Sequence, residues 1–470
     1  MDCILAIDQG THASRALLFD HAGRVVARSL APVTLRRPRP ACVEQDPLEI
    51  LDSVHASVDA VMDSLDARRR AAVTCGGIAT QRSTVLAWHR NGAPASAALN
   101  WQDTRGQPRI DALKAHATSI HRLSGLPLSA HYGASKLHWL QQLLASEPGL
   151  QFGPLVSFLL QALLQEAQAA TDHSNAQRMQ LFDIRRLEWS PQLADWFEVE
   201  LERLPPCRPL SHRYGTLAGH DVPLTAAAGD QNAAWFANGR PPDDCAHINI
   251  GSGAFVMAQR PADGSVDGLI SSIAWSDARH CDYLVEGTVN GAGNALEWLR
   301  QKYAIEQLPQ RLPAWLEAID EPPLFVNTVG GLGSPFWCRG PEPAFHNQGK
   351  PPDDAARAVA VVESILFLLQ YNLERIQARR PLTRLRIGGG LSRLDALCRK
   401  LASLSGLPVE RGDEREASAR GIAWLAAGRP DGWEENTVFE RFLPHPDTSL
   451  QARYRRFLDL LQHRLGEGHD

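Results

Sequence analysis

One short stretch of the chain, TAAAGDQNAAWFANG at residues 225–239, carries an acidic residue in an unusual setting. Asp230 stands between Gly229 and Gln231 and leads into an Ala-rich segment that favours a helix. Asp in this position is most often an N-cap, because its side chain accepts a backbone N–H of the first turn. The alternative is a carboxylate that takes part in catalysis. Both interpretations stay open on this stretch alone.

Glycine-rich turns offer a second kind of chemistry. The apolar run at 3–7 predicts a strand, followed by the turn DQGTHAS and by predicted strands at 15–19 and 24–29. A second hairpin turn, GSG, follows a predicted strand at 247–250, and a glycine triplet follows the strand that begins at 385. Such turns can direct backbone N–H groups at phosphate oxygens, because glycine permits close approach. Asp8 ends the first strand, a common place for a ligand-facing acid in α/β proteins.

Several well-defined sites are excluded by their motifs. The chain has no GxxxxGK[ST] loop, no GxGxxG followed by a suitably spaced acid, no HExxH and no GxSxG. Its eight cysteines are scattered without a CxxC pair, which argues against a zinc ribbon or a dithiol redox site. We expect reduced thiols in a cytoplasmic protein.

The composition and net charge limit the classes of molecule that the protein is expected to bind. The 470 residues are 44% hydrophobic and 21% charged, with a net charge of −5. This balance is ordinary for a globular protein and gives no basic excess, so we expect neither nucleic acid nor a membrane surface as a partner. The length predicts two or more domains.

The order of predicted elements suggests two halves of similar design. Each half begins with strand, glycine or hydroxyl turn, and strand, and continues with alternating strands and helices. Predicted helices include 44–65, 354–378 and 416–428, whereas 176–235 reads as loop-rich. The predicted divisions are a first domain at 1–240, a second at 241–440 and a peripheral C-terminal tail at 441–470.

Ten motifs follow one another along the chain: DQGTHASRALLFDHAGRVVA, EQDPLEI, GIATQRSTVLAW, NWQDTRG, AAAGDQNAAWFANG, INIGSGAF, VEGTVNGAGNALEWLR, GGLGSPFW, LRIGGG and EREASARGIAWLAAG. In these motifs and their order, the chain resembles the FGGY carbohydrate kinases, and among them the glycerol kinases most closely. The resemblance covers roughly residues 3–430.

This resemblance implies an α/β fold with two ribonuclease H-like (actin-like ATPase) domains and a catalytic cleft between them. It also implies ATP-dependent phosphorylation of a hydroxyl on a small sugar or polyol. ATP and Mg²⁺ would bind mostly on the second domain, and the acceptor mostly on the first. Asp230 matches the general base of the family, which must lie within hydrogen-bond distance of the attacking hydroxyl.

Further roles carry over by position. Asp8 matches the acid near Mg²⁺. Nucleotide-binding positions are Thr11, His12, Arg15, Ser252, Gly293, Glu297 and Gly390. Acceptor-binding positions are Arg82, Ser83, Trp101, His131, Gln231 and Phe255. Each also has an ordinary structural interpretation: a turn-forming Asp, an exposed strand Arg, packing or turn glycines, and core aromatics.

The chain departs from glycerol kinases at several of these positions. Ser83 stands where they have Glu, and His131 where they have Tyr. Val156, Leu394, His12 and Ala13 are also off-pattern, which puts the adenine and phosphate contacts in question. Because lost polar contacts discriminate strongly between substrates, we expect glycerol to be a poor acceptor. A longer polyol or ketose, with His131 contacting a hydroxyl, is the hypothesis, and the missing QMHG motif argues against a D-xylulose kinase.

Two other functions are considered. The first is a catalytically weak sugar- or nucleotide-binding regulator, which the altered turn residues and Leu394 favour and the intact Asp8, Arg82 and Asp230 oppose. The second is an actin-like ATPase without a small acceptor, which Arg82, Trp101 and Gln231 oppose. The chain could also form a homodimer.

Overall fold

The computed structural model describes residues 3–261, 264–346, 351–412, 416–433 and 438–466. The chain forms two compact units, called unit 1 and unit 2. Unit 1 contains the described residues of the spans 1–241, 272–283 and 414–437, and unit 2 those of the spans 242–271, 284–413 and 438–470.

The strands are numbered in chain order. They are β1 (Cys3–Gln9), β2 (Ala13–Asp20), β3 (Val25–Pro32), β4 (Arg36–Arg39), β5 (Cys42–Gln45), β6 (Val73–Thr80), β7 (Val85–His89), β8 (Ala98–Leu99), β9 (Leu150–Pro154), β10 (Thr171–Asp172), β11 (Phe182–Asp183), β12 (Glu188–Trp189), β13 (Cys207–Arg208), β14 (Ser211–Leu217), β15 (Val222–Gly229), β16 (Cys245–Ile250), β17 (Ala254–Gln259), β18 (Ile270–Ser276), β19 (Cys281–Val289), β20 (Leu324–Val326), β21 (Ala344–His346), β22 (Arg384–Gly388), β23 (Val409–Gly412) and β24 (Phe439–Phe442).

The helices are numbered in the same way. They are α1 (Pro47–Asp63), α2 (Ala67–Ala71), α3 (Gln107–Ala112), α4 (Ala117–Ser124), α5 (Gly133–Leu143), α6 (Leu155–Leu163), α7 (His173–Gln177), α8 (Pro191–Phe197), α9 (Asp230–Ala234), α10 (Gly293–Tyr303), α11 (Leu308–Ala318), α12 (Asp354–Gln377), α13 (Asp395–Ser405), α14 (Ala417–Ala426) and α15 (Thr448–Gly466). Short 3₁₀ turns lie at Lys114–His116, Leu201–Arg203 and Gly390–Arg393.

The main sheet of unit 1 has the strand order β14-β15-β6-β1-β2-β3. Strands β1, β2 and β3 form the expected antiparallel meander, and β6 and β15 extend it in parallel with β1. All seven residues of β1 are buried, as a central strand covered on both faces requires. The parallel pairing brings the ends of β1, β6 and β15 to the same edge of the sheet, where Asp8, Arg82 and Asp230 lie.

Unit 2 repeats this plan. From residue 284 of β19 onward, its sheet has the order β19-β17-β16-β22-β23-β24. Strands β19, β17 and β16 form an antiparallel meander, and β22 and β23 extend it in parallel with β16. The similar design of the two halves, expected from their repeated strand–turn–strand openings, is therefore present in the sheets.

The segment 176–235, expected to be rich in loops, contains the strands β11 to β15 and the helices α8 and α9. Three of these strands have only two residues, which is too short to produce an alternating hydrophobic pattern.

Helix α14 follows the second half of the chain in sequence but packs with the first. It packs within unit 1 against β1, β6, β15 and α9. Two glycines permit this contact. A Cβ on Gly77 would lie 2.8 Å from Ile422 Cγ1, and a Cβ on Gly421 would lie 1.7 Å from the Ala233 carbonyl oxygen.

The C-terminal residues also differ from the peripheral tail that we expected. Helix α15 places Leu450, Tyr454, Phe457 and Leu461 in the core of unit 2. This spacing gives one apolar helix face. On the same helix, buried Arg453 donates two hydrogen bonds to Glu363 of α12, at 2.9 and 2.8 Å.

Among the described residues, one helix, α12, is long and apolar enough to cross a membrane by length and composition. Its most apolar window is 83% buried inside the protein, as in the core helix of a globular domain. All eight cysteines lie in the described part of the chain, and none of them forms a disulfide.

Candidate active site

Asp230 is the first residue of α9, at the point where β15 ends. The N-cap position belongs to Gly229, and no side chain caps this five-residue helix, so the N-cap interpretation of Asp230 is wrong. The Asp230 carboxylate accepts a hydrogen bond from the Gln231 backbone N–H at 2.7 Å. About a quarter of its side chain (26%) remains exposed.

The absence of a side chain at Gly229 has a steric cause. A Cβ at this position would lie 2.5 Å from Cγ and 2.6 Å from Cδ of Arg82. Glycine therefore lets the Arg82 side chain pass directly over the backbone that precedes Asp230.

Arg82 is held against the start of α9. Its Nη1 donates to Asn232 Oδ1 at 3.0 Å, and its Nε lies 3.7 Å from Asp230 Oδ1. Burial raises the pKa of Asp230, whereas the charge of Arg82 and the Gln231 hydrogen bond oppose this shift. The result is a partly desolvated carboxylate with a guanidinium beside it.

Ser83, the next residue, is fully buried and has a positive φ of 62°. Within the described part of the chain its hydroxyl has no hydrogen-bond partner. The position where glycerol kinases carry Glu therefore presents no carboxylate and no exposed hydroxyl in this chain.

Trp101, His131 and Thr11 lie together. The Trp101 and His131 rings meet edge to face, with centroids 5.5 Å apart. Trp101 Nε1 donates to Thr11 Oγ1 at 3.0 Å. The Thr11 hydroxyl, predicted to contact phosphate, is therefore hydrogen-bonded to a residue predicted to bind the polyol or sugar. The His131 ring is exposed, but the surrounding protein atoms and the charges of Lys136, Arg178 and Arg82 lower its pKa.

Asp8 lies opposite Arg15 in the β1–β2 pair. Arg15 Nη1 is 3.6 Å from Asp8 Oδ2, and its Nε is 3.8 Å from Glu416 Oε2. Burial and repulsion from Asp230 raise the pKa of Asp8 to about 7, although Arg15 opposes the shift. His12, in the same turn, is exposed.

The Asp8 carboxylate suits a hard cation. Within the described residues, no group of three or more His, Cys, Asp or Glu side chains is arranged to hold a metal ion. Mg²⁺ needs no such group, because it usually keeps several waters and binds one or two carboxylates together with substrate phosphates. Burial, and then repulsion from Asp230, raise the pKa of Asp8, and a nearby cation would favour its ionised form.

Sequence reasoning missed Arg178 and Glu416. Arg178 follows α7, is 3% exposed and donates to Ser272 Oγ at 2.8 Å. Its charge acts on both Asp230 and His131. Glu416 lies in the motif EREASARG, but the family resemblance implies no particular role for its carboxylate.

In unit 2, the GSG turn contacts the start of α10. Gly293 N–H donates to the Gly251 carbonyl at 2.9 Å, and Asn294 N–H donates to that of Ser252 at 2.9 Å. A Cβ on Gly293 would lie 2.7 Å from the Gly251 oxygen, so this contact requires glycine. The structure thus joins two of the predicted nucleotide-binding positions, Ser252 and Gly293.

Three other predicted positions of unit 2 have different surroundings. A Cβ on Gly390 would meet nothing within 4 Å, so the packing of the described protein does not require glycine there. Glu297 is exposed and accepts hydrogen bonds from Arg300 of its own helix, which lowers its pKa to about 2. Phe255 lies on β17, opposite Asn249 and Thr288, and is partly buried.

Comparison with known protein families covers most of the chain. Residues 3–237 match the N-terminal domain of the FGGY family of carbohydrate kinases, and residues 246–428 match its C-terminal domain. The chain belongs to the FGGY family of carbohydrate kinases. The prediction of a carbohydrate kinase with the two-domain α/β fold of this family is therefore confirmed.

Individual relatives of this FGGY kinase agree. It is 32% identical to the glycerol kinase of Polaromonas naphthalenivorans over 91% of its own length and 90% of that protein. Its fold matches that of Plasmodium falciparum glycerol kinase with ADP, with a TM-score of 0.87, 22% identity and coverage of 99% and 98% of the two chains. It also matches a ligand-bound xylulose kinase from Lactobacillus acidophilus, with a TM-score of 0.88, 18% identity and coverage of 99% and 100%. As an FGGY carbohydrate kinase, the chain is a transferase that uses ATP and a small-molecule acceptor.

Proposed function

We propose that this FGGY kinase transfers the γ-phosphoryl group of ATP to a hydroxyl of a small polyol or sugar, with Asp230 as the general base. The environment of Asp230 carries the proposal: a partly exposed carboxylate at a strand end, 3.7 Å from Arg82, with a raised pKa. A raised pKa makes a carboxylate a better proton acceptor, and the adjacent guanidinium keeps it ionised.

In this reaction the acceptor oxygen forms a bond to the γ-phosphorus while the bond from that phosphorus to the leaving oxygen of ADP breaks. The hydroxyl proton passes to the Asp230 carboxylate. Arg82 holds the acceptor hydroxyls and then the product phosphate, because a guanidinium donates to both. Positioning and charge neutralisation supply most of the acceleration in phosphoryl transfer, so a moderate base is sufficient.

Asp8 would hold Mg²⁺, which neutralises phosphate charge when bound. By the family resemblance, the nucleotide-binding positions are Arg15, Ser252, Gly293 and Gly390. The Thr11 hydroxyl accepts from Trp101 Nε1 and donates to Gln81 Oε1 at 3.4 Å, so we assign its phosphate contact to the backbone N–H.

The acceptor is proposed to be a polyol or ketose longer than glycerol. A buried Ser83 hydroxyl cannot replace a carboxylate that accepts from substrate hydroxyls. A site that loses such a partner loses orders of magnitude in selectivity for the original substrate. The exposed, neutral His131 ring can both donate and accept a hydrogen bond, and it would contact a further hydroxyl. A cytoplasmic location and a homodimer remain predictions from the sequence.

The test measures ADP release with Mg-ATP against glycerol, longer polyols, aldoses and ketoses, for the native enzyme and for Asp230→Asn. We expect a longer acceptor to give the highest kcat/KM. Asp230→Asn should lower kcat by about 10²–10⁴-fold, the usual contribution of a general base. Asp52→Asn, at an exposed position on α1, is the matched control and should leave kcat unchanged.

Glycerol as the best acceptor would contradict the proposed substrate class alone. Asp230→Asn activity equal to that of the control would contradict the general-base role. No acceptor-stimulated ADP release across the panel would contradict the proposed reaction.

A further inference from the structure

Lys136 is a buried lysine that the proposed reaction does not use. Burial lowers its pKa to about 7, and the charge of Asp103 opposes this shift. Lys136 lies on α5 and has no exposed surface. A lysine is almost never fully buried without partners, because removing an ammonium from water is costly. The partners of Lys136 therefore indicate why the fold retains it.

Three backbone carbonyls surround the ammonium. Lys136 Nζ donates to the carbonyl oxygens of Ser83 at 2.7 Å, His131 at 3.0 Å and Asn100 at 3.2 Å. An ammonium has three N–H donors, so these acceptors match its full donor capacity.

Each carbonyl belongs to a segment that carries a residue predicted to bind the polyol or sugar. Ser83 follows Arg82 directly, and Asn100 directly precedes Trp101. His131 is itself one of the residues predicted to bind this substrate. The three segments lie far apart in sequence, and Lys136 connects all of them.

The Ser83 backbone has a particular need for this contact. Its φ of 62° lies in the left-handed region, which costs a non-glycine residue of the order of 1–3 kcal/mol unless the surroundings hold it. The shortest of the three Lys136 hydrogen bonds goes to the carbonyl of this residue.

We propose that Lys136 is a positioning residue for the acceptor pocket: its ammonium fixes the three backbone segments that carry Arg82, Trp101 and His131. The inference rests on the proposed function for the identity of the pocket. Lys136 acts through these segments and touches neither the acceptor nor the nucleotide.

The first test compares Lys136→Met with the native enzyme, using glycerol, erythritol and xylitol as acceptors. Displacements of about 1 Å in a positioned group can cost as much as 10²-fold. We expect the KM for these polyols to rise at least 10-fold, while the KM for ATP stays within 2-fold. Lys136→Arg, which keeps the charge but not the three-way ammonium geometry, should give a smaller rise in the same direction.

Lys400→Met is the matched control, because Lys400 is a largely buried lysine of unit 2 that pairs with Glu363. It should lower the melting temperature without changing the KM for polyols. A purely structural role for Lys136 would instead give Lys136→Met the same pattern as Lys400→Met, and that result would overturn the inference. An equal rise in the KM for ATP and for polyols would overturn it as well.

A second measurement does not need activity. In protein labelled with [¹³C]histidine, the ring Cε1–Hε1 signal of His131 is assigned by its loss in His131→Gln. We expect this signal to move or broaden in Lys136→Arg and to stay in place in Lys400→Met. An unmoved signal would overturn the inference, and if no polyol supports turnover, the proposed function fails while this measurement still decides the role of Lys136.

Discussion

The Arg82 side chain occupies the space that a side chain at position 229 would need. Gly229 has no side chain, and the aliphatic part of Arg82 occupies the place where one would be. The guanidinium can then reach both Asn232 and Asp230. The pairing of Asp230 with Arg82 thus depends on the absence of a side chain at Gly229.

Gly229→Ala tests this dependence. The new Cβ would overlap Arg82, and overpacking typically costs about 1–3 kcal/mol. In an Arg82→Ala background the overlapping Cγ and Cδ are absent, so Gly229→Ala should cost much less. Urea unfolding of the two single variants and the double variant measures this coupling. Equal costs of Gly229→Ala in both backgrounds would show that Arg82 is not the group displaced.

His173 predicts an acid sensitivity. Burial lowers its pKa from 6.5 to about 4, and its Nδ1 lies 3.0 Å from Ser276 Oγ. Above pH 6.5 both folded and unfolded chains carry the neutral ring, so it contributes no pH dependence. As the pH falls from 6.5 to about 4, only the unfolded chain takes up the proton, and the free energy of unfolding drops by up to about 1.4 kcal/mol per pH unit.

The measurement is the melting temperature of unit 1 between pH 7 and 4 for native protein and His173→Gln. The variant should lose less stability over this range. His280→Gln, at an exposed position, is the control and should follow the native curve. Parallel curves for His173→Gln and the native protein would contradict the prediction.

Asp230 and Arg82 could be found from the sequence because each stands in a distinctive local motif. Arg178 and Glu416 could not, because what defines them is distance in space. Arg178 acts on Asp230 from 52 positions away, and Glu416 pairs with Arg15 across most of the chain. Neither residue has a local pattern that separates it from a surface charge.

At the scale of elements, α9 and α14 are in unusually close contact. Both helices are rich in small residues, and Gly421 of α14 lies against the Ala233 carbonyl of α9. This contact sets the height of α9 over the sheet, and α9 begins with Asp230.

Gly421→Ala should therefore affect catalysis from a distance. Its Cβ would lie 1.7 Å from a backbone oxygen, which cannot rotate away as a side chain can. We expect a loss of roughly 1–3 kcal/mol in stability and a fall in kcat of at least 10-fold. Differential scanning calorimetry and the ADP-release assay measure the two effects.

The control is Gly466→Ala, at the end of α15, where an added Cβ meets nothing within 4 Å. It should leave both quantities unchanged. Native kcat in a stably folded Gly421→Ala variant would show that α14 does not position α9.

The regular elements could be predicted from their periodicity, and the long helix α12 was expected at nearly its observed bounds. The sheet against which α14 packs could not be predicted in this way. The sequence of an amphipathic helix shows which face is buried but not which sheet covers that face. The same holds for α15, whose apolar face looks like that of a surface helix until its place in the core is seen.

At the scale of the whole chain, α15 predicts the effect of shortening the protein. A chain that ends after Pro446 lacks four apolar core side chains, each of which stabilises by about 1.5–3 kcal/mol when buried. It also removes the two hydrogen bonds that Arg453 donates to buried Glu363 and leaves Lys400 as the cation paired with that carboxylate. We expect unit 2 of this variant to unfold, as seen by loss of its calorimetric transition and by rapid proteolysis within residues 284–412.

A chain that ends at residue 466 keeps α15 whole and serves as the control, with a native transition expected. Native-like stability of the shorter chain would show that α15 is peripheral to the fold, as the sequence suggests.

The return of residues 416–433 to unit 1 has a consequence for the newborn protein. The N-terminal half is synthesised first, but α14, which completes unit 1, is translated only after most of unit 2. At about 5–20 residues per second this interval is on the order of tens of seconds. During that time the surfaces around Gly77 and Ala233 have no cover, so the nascent chain must shield them by other means, and cellular chaperones have a defined period in which to act.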